Sequence, residues 1–113
     1  MVSRGQIWWA ELPNPTGSEL GFTRPVLVIQ ADSFSQSRIS TIVVMAITSN
    51  LRLVKAPGNV SLPKSKSGLA KDSVANVSQI STLDKEDLTE VIGTVDRLTM
   101  QQVDEGIKLL LSV

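Results

Sequence analysis

The residues best suited to chemistry lie in one short segment, GSELGFTRPVLVIQ, at residues 17–30. A glycine-bracketed loop carries the carboxylate of Glu19, and an apolar run follows at residues 26–29. Arg24 lies between them, directly before Pro25. The proline biases Arg24 toward an extended backbone, and a buried strand behind it would be a rigid support. Such a guanidinium either pairs with a carboxylate of its own protein, such as Glu19, or binds an anion from outside.

Composition limits the chemistry that the chain can perform. Its 113 residues include no cysteine and no histidine. Disulfides, thiol catalysis, the usual zinc sites and Ser-His or Cys-His acid–base pairs are therefore excluded. Catalysis would have to use Asp, Glu, Arg, Lys, Ser, Thr, Asn, Gln and backbone groups. The lack of cysteine also fits a reducing cytoplasm.

Length and charge indicate one domain, spanning residues 1–113, with an uneven charge distribution. The longest apolar run, residues 42–47, is too short to span a bilayer, and the opening MVSRGQIWWAEL does not have the pattern of a secretory signal. Net charge is zero, but residues 1–71 hold eight Lys or Arg against three acids, and the remainder holds three against eight. This asymmetry indicates a basic functional surface, unless folding intersperses the basic residues of the first part with the acidic residues of the second.

Runs rich in β-branched residues predict short strands at residues 6–12, 25–31, 39–47, 59–62, 73–83 and 90–95. Adjacent Trp8 and Trp9 would point to opposite faces, one into the core and the other into a dimer interface or against a base. The apolar residues of the fifth strand change parity midway, which predicts a bulge or bend near Ser78. Between strands we expect a helical turn capped by Asp32 or Ser33, and a flexible basic loop at residues 63–71.

One amphipathic helix is expected at the C-terminal end. It would begin at Thr99, with Gln102 at capping-box spacing and an Asp104–Lys108 pair on its polar face. Gly106 costs this helix about 1 kcal/mol relative to alanine, which predicts a close backbone contact there. The strands and this helix together predict a mainly β fold with one C-terminal helix (α+β), a small curled antiparallel barrel with the helix packed on it.

Four blocks along nearly the whole chain resemble the MazF/PemK family of toxin–antitoxin ribonucleases: RGQIWWAEL, GSELGFTRPVLVIQ, AITSN and DSVANVSQISTLDK. The resemblance implies an SH3-like barrel of the CcdB/MazF type that forms a homodimer in a prokaryotic cytoplasm. It also implies a sequence-selective endoribonuclease that cuts single-stranded RNA (mRNA) without a metal or other cofactor. A cognate MazE-like antitoxin would inhibit it by laying an extended acidic segment into the RNA groove.

The implied reaction suits this composition, because the neighbouring 2′-OH of the RNA is the nucleophile. Cleavage would leave a 2′,3′-cyclic phosphate and a free 5′-OH, with the protein moving protons and stabilising charge on the phosphorane. Arg24 matches the family's catalytic arginine, and Thr48 matches its catalytic threonine. Glu19 matches the family's acid and could accept the 2′-OH proton, with pairing to Arg24 or contact with a base as its alternatives. The general acid for the 5′ oxygen stays open between Arg24 and water.

Further residues are expected to contact RNA. Ser18 and Gln79 match family positions that line the RNA groove, and local hydrogen bonding is their alternative role. Lys64 and Lys66, with Lys71, could form a basic segment that binds successive backbone phosphates of the RNA. Alternatively, they could belong to a loop that is only solvated.

Two other functions share this fold class. A CcdB-like gyrase poison would act by binding alone, but such proteins depend on a tryptophan near the C-terminus, and IKLLLSV has no aromatic residue. A barrel that has lost activity would only bind RNA or a partner. The presence of Glu19, Arg24 and Thr48 argues against that second possibility.

Overall fold

The computed structural model describes residues 1–12 and 22–113. In these ranges the strands are β1 (Gln6–Leu12), β2 (Phe22–Val28), β3 (Thr41–Thr48), β4 (Val60–Leu62), β5 (Ser73–Asp84) and β6 (Leu88–Thr94). The helices are α1 (Asp32–Ser35), α2 (Lys64–Ser67) and α3 (Arg97–Leu111), and two 3₁₀ turns cover Leu51–Lys55 and Lys85–Asp87. The predicted mainly β fold with one long C-terminal helix is confirmed.

The six strands form one antiparallel sheet in the order β4-β5-β3-β2-β1-β6. β3 lies inside this sheet and is covered on both faces. Met45 and Ile47 pack into a cluster that also contains Val103 of α3, whereas Ile42 and Val44 pack into a second cluster. A strand buried on both faces requires a continuous apolar run, which TIVVMAIT supplies.

β5 contains the predicted irregularity. Its pairing with β3 reaches Met45↔Ile80 and then resumes at Ala46↔Asn76. Residues 77–79 therefore have no partner in β3, and the strand bends around them. The bulge predicted near Ser78 is confirmed.

Helix α3 begins at Arg97, two residues before the predicted start at Thr99. Asp96 is the N-cap residue, and its Oδ1 accepts the backbone N–H of Thr99 at 2.8 Å. The predicted capping box of Thr99 and Gln102 is therefore wrong. Asp96, one turn before the predicted cap, already accepts a backbone N–H group at the start of the helix.

Two contacts fix α3 on the sheet. The guanidinium of Arg4 donates to Asp104 Oδ1 at 2.5 Å, so the prediction that Asp104 pairs with Lys108 is wrong. Gly106 lies against Gly58, where an added Cβ would be 2.3 Å from the Gly58 carbonyl oxygen. The predicted close contact at Gly106 is confirmed, and it explains why a residue with low helix propensity occupies this position.

Two connections differ from prediction. Ala31 precedes α1 without any side-chain cap, so the predicted cap by Asp32 or Ser33 is wrong. Asp32 instead accepts the backbone N–H of Arg4 at 2.7 Å. The segment 63–71, predicted to be a flexible loop, contains α2 and the buried Leu69. No helix in the described ranges is both long and apolar enough to cross a bilayer.

Candidate active site

A cavity of about 730 Å³ opens where β2 and β3 separate. Three residues predicted from the sequence, Arg24, Thr48 and Gln79, line it together although they come from three different strands. Its walls are mostly apolar and include Trp9 and Leu69. Ser18 and Glu19 fall in the segment outside the described residues.

The cavity exists because β2 and β3 stop pairing. Their last pair is Val26↔Ala46, whereas β2 stays paired to β1 beyond that point, including Ala10↔Arg24. The break coincides with Pro25, which has no N–H to donate to a neighbouring strand. Arg24 therefore lies within β2, which begins at Phe22 and not at Pro25 as predicted.

Arg24 is exposed, and the ring of Phe22 lies beside its guanidinium. The guanidinium carbon is 5.0 Å from the ring centroid. The two residues are separated by one position along a strand, so their side chains share a face. A cation–π contact at an exposed site contributes about 0.5–1 kcal/mol. It orients the guanidinium through the ring face and does not use the N–H donors that an anion would need.

Thr48 ends β3 with its hydroxyl in a defined hydrogen bond. Thr48 Oγ1 accepts the backbone N–H of Asn50 at 3.1 Å. Because a backbone N–H can only donate, the hydroxyl oxygen is the acceptor in this contact. The hydroxyl proton of Thr48 is therefore available to donate to a group in the cavity.

Gln79 reaches the cavity from the bulge of β5. Its Oε1 accepts from Asn76 Nδ2 at 3.0 Å. Asn76 in turn contacts Asn59, in the connection before β4, at 3.2 Å. The sequence reasoning missed both asparagines, because no local spacing joins residues 59 and 76. The predicted bulge and the candidate Gln79 pointed to this part of the chain, but neither pointed to the contact between the two asparagines.

The charged side chains that line the cavity within residues 1–12 and 22–113 are positive. Among its lining residues in the described ranges, Arg24 and Lys71 are charged and none is a carboxylate. Lys64 and Lys66, predicted to contact RNA, do not line the cavity; they lie in α2, whereas Lys71 of the same segment reaches it. A cavity with this charge favours an anionic ligand such as a phosphate.

Lys66 belongs to a different electrostatic environment, at the start of α3. The pKa of Asp96 is lowered from its ordinary value, mainly by hydrogen bonds from the side chain and backbone of Thr99, with a smaller contribution from the charge of Lys66. Lys66 thus lies near an acid that caps a helix.

The two adjacent tryptophans point to opposite faces, as predicted. Trp8 packs against the second apolar cluster, and its Nε1–H donates to Gln6 Oε1 at 3.0 Å. Trp9 is 36% exposed and lines the cavity. A partly exposed aromatic beside basic groups suits stacking on an unpaired base.

Comparison with known proteins gives a consistent result. Residues 3–111 match the family described as "PemK-like, MazF-like toxin of type II toxin-antitoxin system". The chain is 45% identical over 113 residues to endoribonuclease MazF6 of Mycobacterium tuberculosis, covering 100% of this chain and 99% of that protein. It is 40% identical over 114 residues to endoribonuclease EndoA of Bacillus subtilis, covering 100% and 97%.

Solved structures agree on the fold. A mycobacterial endoribonuclease in complex with its cognate antitoxin has a TM-score of 0.83 at 21% identity, with 100% of this chain and 97% of that chain covered. The MazE–MazF complex of Deinococcus radiodurans has a TM-score of 0.82 at 20% identity, with 99% and 96% covered. The curled sheet with a C-terminal helix is therefore the fold of these toxins.

Proposed function

Because the chain belongs to the PemK-like, MazF-like toxin family of type II toxin–antitoxin systems, we propose that it is an endoribonuclease toxin that cuts single-stranded RNA and is inhibited by a cognate antitoxin. Its relatives at 45% and 40% identity are named endoribonucleases, which favours cleavage over the alternative of a CcdB-like gyrase poison. Action on mRNA would place the protein in the cytoplasm.

One observation carries the proposal: Arg24 and Thr48 face the same cavity at the separation of β2 and β3. A guanidinium can bind two phosphate oxygens at once, and a threonine hydroxyl can donate to a third. Donors fixed on strands are already in place when negative charge develops on the phosphorane, so they stabilise the transition state without reorganisation.

The proposed reaction is a transesterification followed by release of both RNA ends. The 2′-OH attacks the adjacent phosphorus, a bond from the 2′ oxygen to phosphorus forms, and the bond from phosphorus to the 5′ oxygen breaks. The products are a 2′,3′-cyclic phosphate and a 5′-OH, so no metal-bound water is required as nucleophile. Glu19 is proposed as the base that takes the 2′-OH proton, because a glutamate is ionised at neutral pH.

The same cavity is the proposed binding groove for RNA. Gln79 and Trp9 offer an amide and an aromatic ring to an unstacked base. Lys71 and Arg24 offer positive charge to the backbone. Ser18 is proposed to contact RNA from the segment that precedes β2 in the chain, with Lys64 and Lys66 contributing at most at longer range.

We propose two protein partners. An antitoxin would place an extended acidic segment in the basic cavity, where its carboxylates would occupy the positions of phosphates. A second copy of the chain would bind through apolar surface, for which exposed leucines of α3 are available: Leu98, Leu109, Leu110 and Leu111. A small domain gains stability from such an interface.

The test of this function is cleavage of a long RNA by the purified protein in excess EDTA, with both new ends identified chemically. We expect discrete cuts that leave a 2′,3′-cyclic phosphate and a 5′-OH. A synthetic RNA of the same sequence with a single 2′-deoxy residue on the 5′ side of the cut should resist cleavage at that bond only, because it lacks the nucleophile.

Three outcomes would overturn the proposal. The first is a folded protein that leaves RNA intact, and the second is cutting that requires a divalent cation. The third is equal cutting of the 2′-deoxy substrate. DNA breaks that depend on gyrase would support the binding-only alternative instead.

A further inference from the structure

The side-chain amide of Gln79 is held in one orientation by a chain of hydrogen bonds that begins at the protein backbone. An amide has a donor end and an acceptor end of nearly equal size, so its orientation must be derived from its partners. Here the partners determine it without ambiguity, because the first link of the chain involves backbone groups of fixed polarity.

Asn59 is the first link. Its Oδ1 accepts the backbone N–H of Val77 at 2.8 Å, and its Nδ2 donates to the carbonyl oxygen of Leu53 at 2.8 Å. A backbone N–H can only donate, and a carbonyl oxygen can only accept. Turning the Asn59 amide over would oppose two donors at one end and two acceptors at the other, so only one orientation is possible.

The orientation of the Asn59 amide determines the orientation of the Gln79 amide through Asn76. Asn59 Nδ2 also donates to Asn76 Oδ1 at 3.2 Å, which leaves Asn76 Nδ2 at the opposite end of that amide. Asn76 Nδ2 then donates to Gln79 Oε1 at 3.0 Å. Gln79 Oε1 is thereby turned toward Asn76, and its NH₂ group is the end left to interact with a ligand in the cavity that Gln79 lines.

We propose that Asn59 and Asn76 are positioning residues that fix Gln79 as a hydrogen-bond donor, so that the RNA is read at this point through an acceptor on a base. The inference rests on the proposed ribonuclease function. Uracil and guanine carry a carbonyl oxygen where cytosine and adenine carry an amino group. Where the Gln79 NH₂ meets that exocyclic group, it therefore selects a keto base over an amino base at one nucleotide position beside the cut.

The experiment exchanges donor for acceptor at Asn76. In Asn76→Asp both carboxylate oxygens accept, so the bond from Asn59 is kept while the donor to Gln79 is lost. The Gln79 amide must then turn its NH₂ toward position 76 and present Oε1 to the cavity. A pool of RNAs randomised around the cut is digested by each variant in EDTA, and the ends are sequenced.

At one position we expect the ratio of keto to amino bases to fall about tenfold, the effect of roughly one hydrogen bond lost and one gained. A uniform loss of activity, from added charge or a weakened bulge, would lower every cut alike and leave the ratio unchanged. Ser78→Ala is the matched control: it lies in the same bulge and removes a hydroxyl that donates to Asn76 Oδ1, but it leaves the polarity set by Asn59 intact. Its ratio should equal that of the wild type.

A second variant keeps the inference testable if Asn76→Asp does not fold. Gln79 is exposed, and Gln79→Glu retains an oxygen for Asn76 while placing another oxygen in the cavity. It should shift the ratio in the same direction. If the folded variants cut RNA with the wild-type preference, this inference is overturned alone. A wild-type protein that cuts no RNA overturns the proposed function and the inference together.

Discussion

Arg24 and Thr48 lie opposite each other two register positions beyond the last β2–β3 pair, Val26↔Ala46, where the two strands have separated. Their side chains are therefore on the same face, on either side of a gap in which β2 and β3 are no longer hydrogen-bonded to each other. The opening is part of the cavity that both residues line. A gap between paired strands can admit a phosphate, while the strands behind it keep the two donors fixed.

The first prediction concerns the hydroxyl of Thr48. In Thr48→Val the shape is kept and the donor is lost, so we expect the single-turnover cleavage rate to fall about 100-fold or more, as when one donor to a developing oxyanion is removed. Thr82→Val, at an exposed position of β5 paired with Val43, is the control and should keep the wild-type rate. An unchanged rate in Thr48→Val would remove Thr48 from the site.

The second prediction separates the lysines of the segment 63–71. Lys71 lines the cavity, whereas Lys64 and Lys66 do not. Lys71→Ala should weaken RNA binding and reduce the slope of log K against log salt concentration by about 0.7, the contribution of one phosphate contact on a single strand. Lys64→Ala and Lys66→Ala should change the slope less. Equal or larger changes in slope for Lys64→Ala and Lys66→Ala, measured by fluorescence titration at several salt concentrations, would contradict this difference between the lysines.

The third prediction concerns the contact between Gly106 and Gly58. Helix propensity alone predicts that Gly106→Ala stabilises α3 by about 1 kcal/mol. The structure reverses the sign, because the new Cβ would lie 2.3 Å from the Gly58 carbonyl oxygen. Relief of such a clash costs about 1–3 kcal/mol, so we expect a net loss of stability in urea unfolding. The exposed helix position Gln101→Ala is the control, and a stabilised Gly106→Ala would contradict the contact.

The fourth prediction concerns acid and the helix cap. The pKa of Asp96 is lowered in the folded protein, mainly by its hydrogen bonds with Thr99. A lowered carboxyl pKa contributes stability that is present above the ordinary pKa of about 4 and is lost as pH falls through the folded value. Asp96→Asn keeps an oxygen for the cap but does not titrate, so its melting temperature should fall less than that of the wild type between pH 6 and pH 3. Equal falls would contradict this role of Asp96.

Much of the fold could be predicted from sequence because local patterns encode it. The change of apolar parity along residues 73–83 indicated the bulge at Ser78, and the unfavourable Gly106 indicated a backbone contact. The start of α3 was missed for a local reason too. Thr99 and Gln102 have capping-box spacing, but Asp96 is a cap residue one turn earlier and bonds the Thr99 N–H.

The site could be predicted only in part, because its geometry depends on contacts that are distant in sequence. Arg24, Thr48 and Gln79 were identified by resemblance, and they line one cavity in the structure. The link between Asn59 and Asn76 depends on how β4 and the bulge of β5 fold together, and no spacing along the chain reveals it. Lys64 and Lys66 lie in α2 and do not line the cavity, which a loop assignment could not show, and their contact with RNA stays a prediction.

The most direct measurement is the single-turnover rate at which Arg24→Ala cuts one defined RNA in excess EDTA, beside the wild type and Arg38→Ala. Arg38 is an exposed arginine of the connection between α1 and β3, so its removal controls for lost positive charge. A catalytic role for Arg24 predicts discrete cuts with 2′,3′-cyclic phosphate ends for the wild type and Arg38→Ala, and a loss of at least about 100-fold for Arg24→Ala with the fold intact. Equal rates for Arg24→Ala and Arg38→Ala would contradict it.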